Sequence, residues 1–428
     1  MTVGKRFYLK KIGKIKMNNL LPITDEIGIY NPNLLVKKAQ GSYIWFDGQD
    51  KPYLDLVMAY SSTNFGHCNP TIVKAVKKAA ERLDNFPAFN TSERDDLSGE
   101  LIDHLPFPGK DYQVYYTVGG AKAVDVSIKL ARIFTKRHGV ISFDGAFHGY
   151  INGLIGITDR GYFNESYDTI QNMQIFHLPF PDINIGPSID VALTQLEDLI
   201  FKYREKIGAI ILEPVQGAAG FRETERYFFE KLQEIANHHQ IIIIADEIQA
   251  GIGRTGSFYS FERYNFQPDI VLLGKSLAGG YYPLSAIIAR KEYFDNIGPD
   301  KSGLDSTFSN NAFGISIARE VVRMISDQKI FEKVQAKSIL FRTLMSQLHQ
   351  EYPTIVLKTS VVGLACGIQT PSSKIAALVK KRAFEKCLII QTSGINGDYL
   401  KIAPSLLITE QELKQAFDLL GSVLANLF

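Results

Sequence analysis

The sequence predicts an α/β protein in which a large domain, built on a mostly parallel sheet flanked by helices, is joined by a smaller α/β domain. Short apolar runs alternate with amphipathic helical segments between residues 113 and 276, which is the pattern of right-handed βαβ units. Two of these runs, residues 241–245 and 270–273, are apolar throughout, as expected of strands buried on both faces. A chain of 428 residues exceeds one hydrophobic core, so we expect about two or three domains.

The first part of the chain predicts a small antiparallel sheet followed by helices. Asp47-Gly48 separates two segments of alternating apolar residues, 41–46 and 52–57, and this dipeptide is a strong hairpin signal. Asn69-Pro70 then begins an amphipathic helix, and helices continue to about residue 105.

The large domain follows from alternating strand and helix patterns. Besides the two apolar runs, strands are predicted at 113–117, 139–143 and 208–212, and helices at about 188–205 and 225–239. Residues 151–187 and 281–310 are predicted to be irregular, because glycine and loop-forming residues interrupt both periodicities.

The last part of the chain predicts the smaller domain. A helical stretch covers about 312–350, and three strands at 361–368, 388–391 and 400–403 alternate with helices at about 375–386 and 409–427. We therefore expect residues 1–60 to contribute to the small domain, residues 61–311 to form the large cofactor-binding domain, and residues 312–428 to complete the small domain.

Composition excludes several classes of function. A net charge of +2 gives no field that would attract nucleic acid or a membrane surface, and no run approaches the roughly 18 apolar residues of a membrane helix. The three cysteines form no pair at metal-ligand spacing, which predicts a reducing, cytoplasmic setting without a metal site.

The first 20 residues carry six Lys/Arg and no acid. A solvated basic arm, an extension upstream of Met17 and a transit peptide remain open, although a transit peptide would be richer in Arg and Ser.

Polar or glycine-rich residues follow five predicted strands, at the sheet edge where parallel α/β folds bind ligands. These segments are 118–121, 144–149, 213–217, 246–249 and 274–276. Each has an ordinary structural interpretation: Asp246 fits a helix N-cap, Lys275 a solvated charge, Phe147 a core residue and His148 a hydrogen-bonded loop residue.

Together the five segments supply what pyridoxal phosphate requires. Lys275 offers an amine for a Schiff base, and Asp246 offers an acid that keeps the ring nitrogen protonated. Gly119-Gly120-Ala121, just before a helix, fits either a tight turn or a phosphate cup of free backbone N–H groups. Phe147 offers a ring for stacking.

At these residues the chain resembles the fold-type I pyridoxal-phosphate enzymes of the class III aminotransferases, nearest to ornithine and acetylornithine aminotransferases. The resemblance extends from about residue 26 to 425 and is most specific at 246–256 and 274–280. The interval of 26 residues from Gln249 to Lys275 also fits the family. Supporting matches are at 64–70, 213–217, 306–308 and 403–405.

The resemblance implies roles for the cofactor residues. Lys275 should hold the cofactor and then move the proton at the substrate carbon, while Asp246 pairs with the ring nitrogen. Gln249 should approach the ring hydroxyl, and Phe147 should stack on the ring. Backbone N–H groups of Gly120 and Ala121 should bind the phosphate, and His148 and Glu213 also belong to the cofactor site.

The resemblance also implies a homodimer with active sites at the interface. Thr307 should reach the phosphate in the neighbouring subunit, and Tyr30 and Tyr60 match aromatic positions of the substrate channel.

Several departures from the family pattern concern the substrate. Ala218 replaces a glutamate and Lys401 an arginine that together form a gate in the relatives. Tyr150 replaces an arginine, which disfavours ornithine as the amino donor because tyrosine cannot pair a carboxylate by charge. Lys401 can still bind a carboxylate, although as a point charge without a bidentate fork. Gly119 and Lys122 replace a hydroxyl residue and a glutamate at the cup.

The sequence therefore predicts an aminotransferase that moves an amino group from an amine or amino acid, including ω-amino acids, to a 2-oxo acid by a ping-pong Schiff-base mechanism. An amino-acid racemase, epimerase or aminomutase on the same fold is the first alternative, because the same lysine proton transfer serves those reactions. A non-catalytic protein on an aminotransferase scaffold is the second.

Overall fold

The computed structural model describes residues 34–86, 89–107, 111–158, 174–183, 186–295, 297, 304–327 and 329–427. Tyr30 and the basic N-terminal segment lie outside these residues. None of the described helices is both long enough and apolar enough to cross a membrane.

The first sheet joins the two ends of the chain. Strands β1 (Val36–Gln40), β2 (Tyr43–Phe46) and β3 (Tyr53–Asp55) are antiparallel neighbours. Gly48, with φ +72°, lies in the turn after β2, so the predicted hairpin is confirmed. Strand β13 (Leu388–Ile389) then pairs with β3 in parallel, which brings the C-terminal part of the chain back to the N-terminal sheet.

Three helical segments lead to the large sheet. Helix α1 (Met58–Ser61) is a single turn in which all four residues have positive φ. Helix α2 (Pro70–Ala80) begins as predicted, because the Asn69 side chain accepts hydrogen bonds from the first backbone N–H groups. Helix α3 (Ser92–Asp103) follows.

The large sheet has seven strands in the order β4-β10-β9-β8-β7-β5-β6. They are β4 (Tyr112–Val118), β5 (Gly139–Phe143), β6 (Ile175–Leu178), β7 (Ile207–Leu212), β8 (Ile242–Asp246), β9 (Ile270–Leu273) and β10 (Leu284–Arg290). Only β10 runs antiparallel to its neighbours, so the sheet is mostly parallel as predicted. Strands β6 and β10 lie in segments predicted to be irregular, and that part of the prediction was wrong.

Helices cover both faces of this sheet. They are α4 (Gly120–Thr135), α5 (Ile189–Tyr203), α6 (Arg226–His238) and the short α7 (Lys291–Asp295). Ile211 and Ile244 pack into one apolar cluster with the inner face of α4, whereas Ile210 and Ile243 pack into the other with α6. Successive strand residues point to opposite faces, which explains why these strands are apolar throughout.

The C-terminal part contains two long helices and a third sheet. Its elements are α8 (Ala312–Asp327), α9 (Ile330–Glu351), β11 (Lys358–Val362), β12 (Ala365–Gln369), α10 (Ser373–Glu385), β14 (Gln391–Ser393), β15 (Tyr399–Ile402) and α11 (Glu410–Ala425). The sheet order is β11-β12-β15-β14, and α8 packs against α2 and α3.

Two strand predictions in this part were wrong. Residues 361–368 form a hairpin rather than one strand, because Gly363 adopts φ +58° between β11 and β12. Residues 388–391 are divided between β13 in the first sheet and β14 in the third.

Candidate active site

A buried carboxylate lies at the carboxyl end of β8. Oδ2 of Asp246 is 2.7 Å from Nδ1 of His148, and Oδ1 accepts the N–H of Ile248 at 3.1 Å. Both side chains are buried. Because an ionised carboxylate only accepts, Nδ1 of His148 carries the proton of this pair. Nε2 of His148 is also buried and has no hydrogen-bond partner among the described residues.

Lys275 follows β9 after Gly274 and begins a 3₁₀ turn that ends at Ala278. Its φ of +45° is uncommon for a residue with a side chain. Burial lowers the pKa of its amine, and the nearby carboxylates of Asp246 and Glu213 oppose that shift. A desolvated amine is deprotonated at lower pH than a free lysine, which makes it a better nucleophile.

Glu213 connects two of the predicted site segments. Its carboxylate accepts the N–H of Phe147 at 2.9 Å through Oε1 and that of Gly217 at 3.0 Å through Oε2. Burial raises the pKa of Glu213, and the nearby Asp246 adds to that shift, whereas His148 and the two backbone bonds oppose it. Glu213 thus contacts the backbone at Phe147 and at Gly217. The ring of Phe147 meets that of Tyr150 edge to face, with the ring centres 4.8 Å apart.

Gln249 lies against the loop after Glu213. A Cβ atom on Gly217 would overlap the Gln249 side-chain oxygen, so the two residues are in close contact. Gln249 is buried. The turn after β8 therefore places Gln249 beside Gly217, whose N–H group is bonded to the Glu213 carboxylate.

The glycine-rich turn before α4 is the candidate anion cup. Gly119 has φ +83°, and its carbonyl accepts from Lys122 and Ala123. The N–H groups of Gly120 and Ala121 make no hydrogen bond within the described part of the chain, as expected at the start of a helix. A Cβ on Gly120 would lie 3.0 Å from the side chain of Ile248, so the cup wall is closely packed.

These groups fit pyridoxal phosphate. The cup offers two N–H groups and a helix N-terminus to a phosphate. Asp246, polarised by His148, offers a buried negative charge to a protonated ring nitrogen, and Lys275 offers the amine.

Three predicted residues lie on the surface of the single chain. Thr307 is exposed, and its carbonyl accepts from Nδ2 of Asn85 at 2.7 Å. Tyr60, in α1, is 40% exposed and Tyr150 is 43% exposed. The chain itself therefore does not bring Thr307 into a buried site.

The two departures at Ala218 and Lys401 lie where the C-terminal sheet meets the loop after Glu213. Lys401 is only 7% exposed, and its amine lies 4.9 Å from the ring centre of Phe221. The carbonyl of Ala218 accepts the N–H of Gly394 at 3.1 Å.

Sequence reasoning gave no role to Arg254, which is completely buried. It donates to the carbonyls of Leu364 and Pro404 at 2.8 and 2.6 Å and to the side chain of Asn64, and Asn64 in turn donates to Ser276, next to Lys275. Burial lowers the pKa of Arg254 to about 9. The only signal in the sequence was its place within the motif at 246–256.

Sequence reasoning also missed Arg222. Its guanidinium donates to the Asp144 carbonyl at 2.6 Å and to the Gln216 side chain at 3.1 Å. Burial lowers its pKa, whereas Asp182, 3.8 Å away, opposes that shift. Arg222 thereby ties the loop after Glu213 to the segment before Phe147.

The protein has the features of a fold-type I pyridoxal-phosphate-dependent transferase: the fold itself, an amine and an acid at adjacent strand ends, and a candidate anion cup. Within that class the chain belongs to the class-III aminotransferases, because the sequence model of the aminotransferase class-III family matches residues 28–424. The protein is thus a pyridoxal-phosphate-dependent aminotransferase, as the sequence predicted.

Curated relatives share about 30% of the sequence. The acetylornithine aminotransferase of Methanopyrus kandleri is 30% identical, over 90% of this chain and 92% of the relative. The 2-aminoadipate transaminase of Pseudomonas putida is 30% identical, over 95% of this chain and 99% of the relative. The ornithine aminotransferase car2 of Schizosaccharomyces pombe is 28% identical, over 91% of this chain and 89% of the relative.

Solved structures share the fold. The omega transaminase of Pseudomonas jessenii in complex with PMP superposes with a TM-score of 0.84 at 22% identity, over 92% of each chain.

Proposed function

We propose that the amino donor and the 2-oxo acid acceptor of this aminotransferase each present a carboxylate to Lys401. The position of Lys401, which the resemblance assigns to an arginine that binds the substrate carboxylate, carries this proposal. Its side chain is buried beside the loop that holds Ala218. A lysine at this position can pair with a substrate carboxylate as a point charge. The relatives are named for ornithine, acetylornithine and 2-aminoadipate, and each of these molecules carries one.

The chain's own residues divide the chemistry. Bound pyridoxal phosphate supplies the electron sink for the reacting carbon. Asp246 holds a proton on the ring nitrogen, and His148 orients the carboxylate by donating from Nδ1. Lys275, whose pKa is lowered by burial, removes and returns the proton at the substrate carbon. Gly120 and Ala121 bind the phosphate, Phe147 stacks on the ring, Gln249 approaches its hydroxyl and Glu213 holds the Phe147 backbone.

Substrate recognition involves aromatic residues and the partner subunit in this proposal. Tyr60 and Tyr150, both partly exposed, line the substrate channel, and Tyr30 is assigned there by resemblance alone. Thr307 acts in the neighbouring subunit of a homodimer, which accounts for its exposure in the single chain.

Two further assignments belong to the proposal. The large domain comprises residues 61–311, and the small domain combines residues 1–60 and 312–428, which the pairing of β13 with β3 supports. The protein acts in the cytoplasm, since its three cysteines are free thiols that suit a reducing compartment.

The substrate proposal is tested with matched amino donors. Cofactor-loaded protein is mixed with 2-aminobutyrate, 4-aminobutyrate or propylamine, without any oxo acid, and the visible absorbance of the bound cofactor is followed. We expect a carboxylate-bearing donor to react at least about tenfold faster than propylamine, as one charged hydrogen bond would provide. Lys275→Ala is the inactive control, and equal rates for all three donors would contradict the proposal.

The subunit arrangement is tested with hybrid dimers of Lys275→Ala and Thr307→Ala chains. If Thr307 acts in the neighbouring site, each hybrid has one intact site and regains activity that neither parent has. Hybrids no more active than the weaker parent would place Thr307 in its own subunit's site.

Racemisation or amino migration is the second candidate reaction. It is favoured by the replacement of both gate residues of the relatives, by Ala218 and Lys401, because these positions concern the substrate. Turnover of a single enantiomer to its mirror image without any 2-oxo acid would select it. Release of one equivalent of oxo acid per site, and no further reaction, would reject it.

A further inference from the structure

Asn64 joins separate parts of the chain. Its carbonyl accepts the N–H of Leu406 at 2.7 Å and the Ser405 hydroxyl at 3.3 Å. Its side-chain oxygen accepts from the Arg254 guanidinium, and its side-chain nitrogen donates to the hydroxyl of Ser276 at 3.2 Å. Asn64 is buried, so both ends of its amide are bonded to protein rather than to water.

The chemistry of Arg254 determines which way the Asn64 amide faces. A guanidinium has donors and no acceptor, so the amide atom that faces it is the oxygen. The NH2 group therefore faces Ser276, and the Ser276 hydroxyl oxygen accepts from it.

Arg254 gives this amide a fixed support. Its guanidinium also donates to the carbonyls of Leu364 and Pro404, and its side chain is fully buried. A side chain that is bonded to three acceptors and closely packed has little freedom to move. The amide of Asn64 is therefore held on the side away from Ser276.

The segment after β9 packs against the chain around Asn64. A Cβ on Gly280 would lie 2.7 Å from the side chain of Thr63 and 3.2 Å from the carbonyl oxygen of Ser62. Ser276, in the same segment, is buried and bonded to Asn64. The turn that begins at Lys275 is thus supported from outside at two points.

Lys275 requires support because its backbone is strained. A residue with a side chain keeps a φ of +45° only where the surrounding structure determines it. The direction of a side chain depends on its backbone conformation. Release of Ser276, the next residue, would let the turn relax and would move the Lys275 amine.

From these contacts we propose that Asn64 and Ser276 are positioning residues for Lys275. Asn64 anchors Ser276 and so keeps the strained turn in the conformation that directs the Lys275 amine to the cofactor. The inference rests on the role of Lys275 in the proposed function. A displacement of a reacting group by about 1 Å is enough to slow a reaction strongly, so this anchor affects the chemistry without touching the substrate.

Two forms of the cofactor distinguish the positioning of Lys275 from general support of the fold. The Lys275 amine joins the aldehyde of pyridoxal phosphate with loss of water. Pyridoxamine phosphate carries an amine in place of that aldehyde and forms no bond with Lys275, although its ring and phosphate are the same. Only the affinity for pyridoxal phosphate therefore reports where the Lys275 amine lies.

The full-length protein, loaded with one form or the other, is dialysed to equilibrium, and the retained cofactor is measured by absorbance. We expect Ser276→Ala and Asn64→Ala to weaken the binding of pyridoxal phosphate by about three- to tenfold, the effect of one hydrogen bond. Both variants should bind pyridoxamine phosphate as the wild type does. Asn69→Ala is the matched control at another buried asparagine, which caps α2 instead, and it should leave both affinities unchanged.

A double variant tests whether the two residues act through one bond. Asn64→Ala and Ser276→Ala together should bind pyridoxal phosphate no more weakly than the weaker single variant, because both substitutions break the same contact. Effects that multiply would show that Asn64 does not act through Ser276. Ser276→Ala leaves the contact between Asn64 and Arg254 in place, so it decides the question even if Asn64→Ala does not fold.

The possible results separate this inference from the proposed function. Equal weakening of both cofactor forms, or wild-type affinity for pyridoxal phosphate in Ser276→Ala, would overturn the positioning role. If Lys275→Ala retains pyridoxal phosphate as the wild type does, the role of Lys275 in the proposed function fails as well. If Lys275→Ala loses that affinity and Ser276→Ala does not, only the role of Asn64 and Ser276 fails.

Discussion

Replacing Ala59 by glycine should stabilise the protein or leave it unchanged, contrary to the usual effect of this substitution in a helix. Ala59 has φ +48° and ψ +51°, in the middle of four consecutive residues with positive φ. The left-handed conformation costs about 1–2 kcal/mol for each residue with a side chain. Three hydrogen bonds hold the turn: the Asp55 carboxylate accepts the N–H groups of Val57 and Met58 at 2.7 and 3.1 Å and contacts His67 at 2.8 Å.

The size of the effect follows from two opposing contributions. Glycine relieves about 1–2 kcal/mol of strain at position 59, but its greater freedom in the unfolded chain costs about 0.4–1 kcal/mol. The net change is a gain of about 0–1.5 kcal/mol. Ala377, also exposed and within helix α10, is the matched control, where glycine should cost about 1 kcal/mol.

Urea unfolding of both variants and the wild type, each loaded with cofactor and at equal protein concentration, measures the difference. We expect Ala59→Gly to unfold at a higher urea concentration than Ala377→Gly, with a gap of about 1–2.5 kcal/mol from the contributions above. Equal destabilisation by both substitutions would refute the idea that the turn stores strain. Because Tyr60 follows Ala59 in this turn, Ala59→Gly should also raise KM for the amino donor more than it changes cofactor affinity.

Three further predictions concern buried charges. Asp246→Asn should slow the reaction with an amino donor by about 100-fold or more. The rate is measured in single turnovers at full cofactor occupancy. An unchanged rate would show that Asp246 takes no part in the chemistry. Burial raises the pKa of Glu247 to about 7. The folded protein therefore binds more protons than the unfolded chain between pH 4.5 and 7. The free energy of unfolding should fall by up to about 3 kcal/mol as the pH rises through that window. Glu247→Gln should flatten this fall, and a profile that keeps its slope would contradict the assignment. Arg254→Met should lower the free energy of unfolding by about 3 kcal/mol, because three buried acceptors lose their donor. The control is Arg204→Met, at an exposed arginine. Similar losses of stability in both variants would show that the Arg254 contacts contribute little.

The sequence was sufficient for strands that are buried on both faces. β5, β8 and β9 match their predictions to within one or two residues, because their uniform apolar composition has few other structural explanations. β10 was missed although Ile287 and Ile288 lie at its centre, since the glycines and prolines around it resemble those of a loop. The hairpin after Val362 was missed because its turn, at Gly363, lies within an apolar run.

The candidate site shows a similar division. The sequence could place Asp246 and Lys275 at strand ends, because parallel strands end at one edge of a sheet. It could not show that His148 bonds Asp246, since 98 residues separate them. Nor could it show that Gln391 and Lys401 are paired, because strand register depends on tertiary packing.

The backbone contact between Gly220 and Gly367 limits which residues can join the C-terminal sheet to the loop 217–222. Any side chain at 367 would overlap the loop backbone, so a substitution there would separate the C-terminal sheet from the loop that also supports Phe147. Evolution or engineering of this protein should therefore keep glycine at position 367.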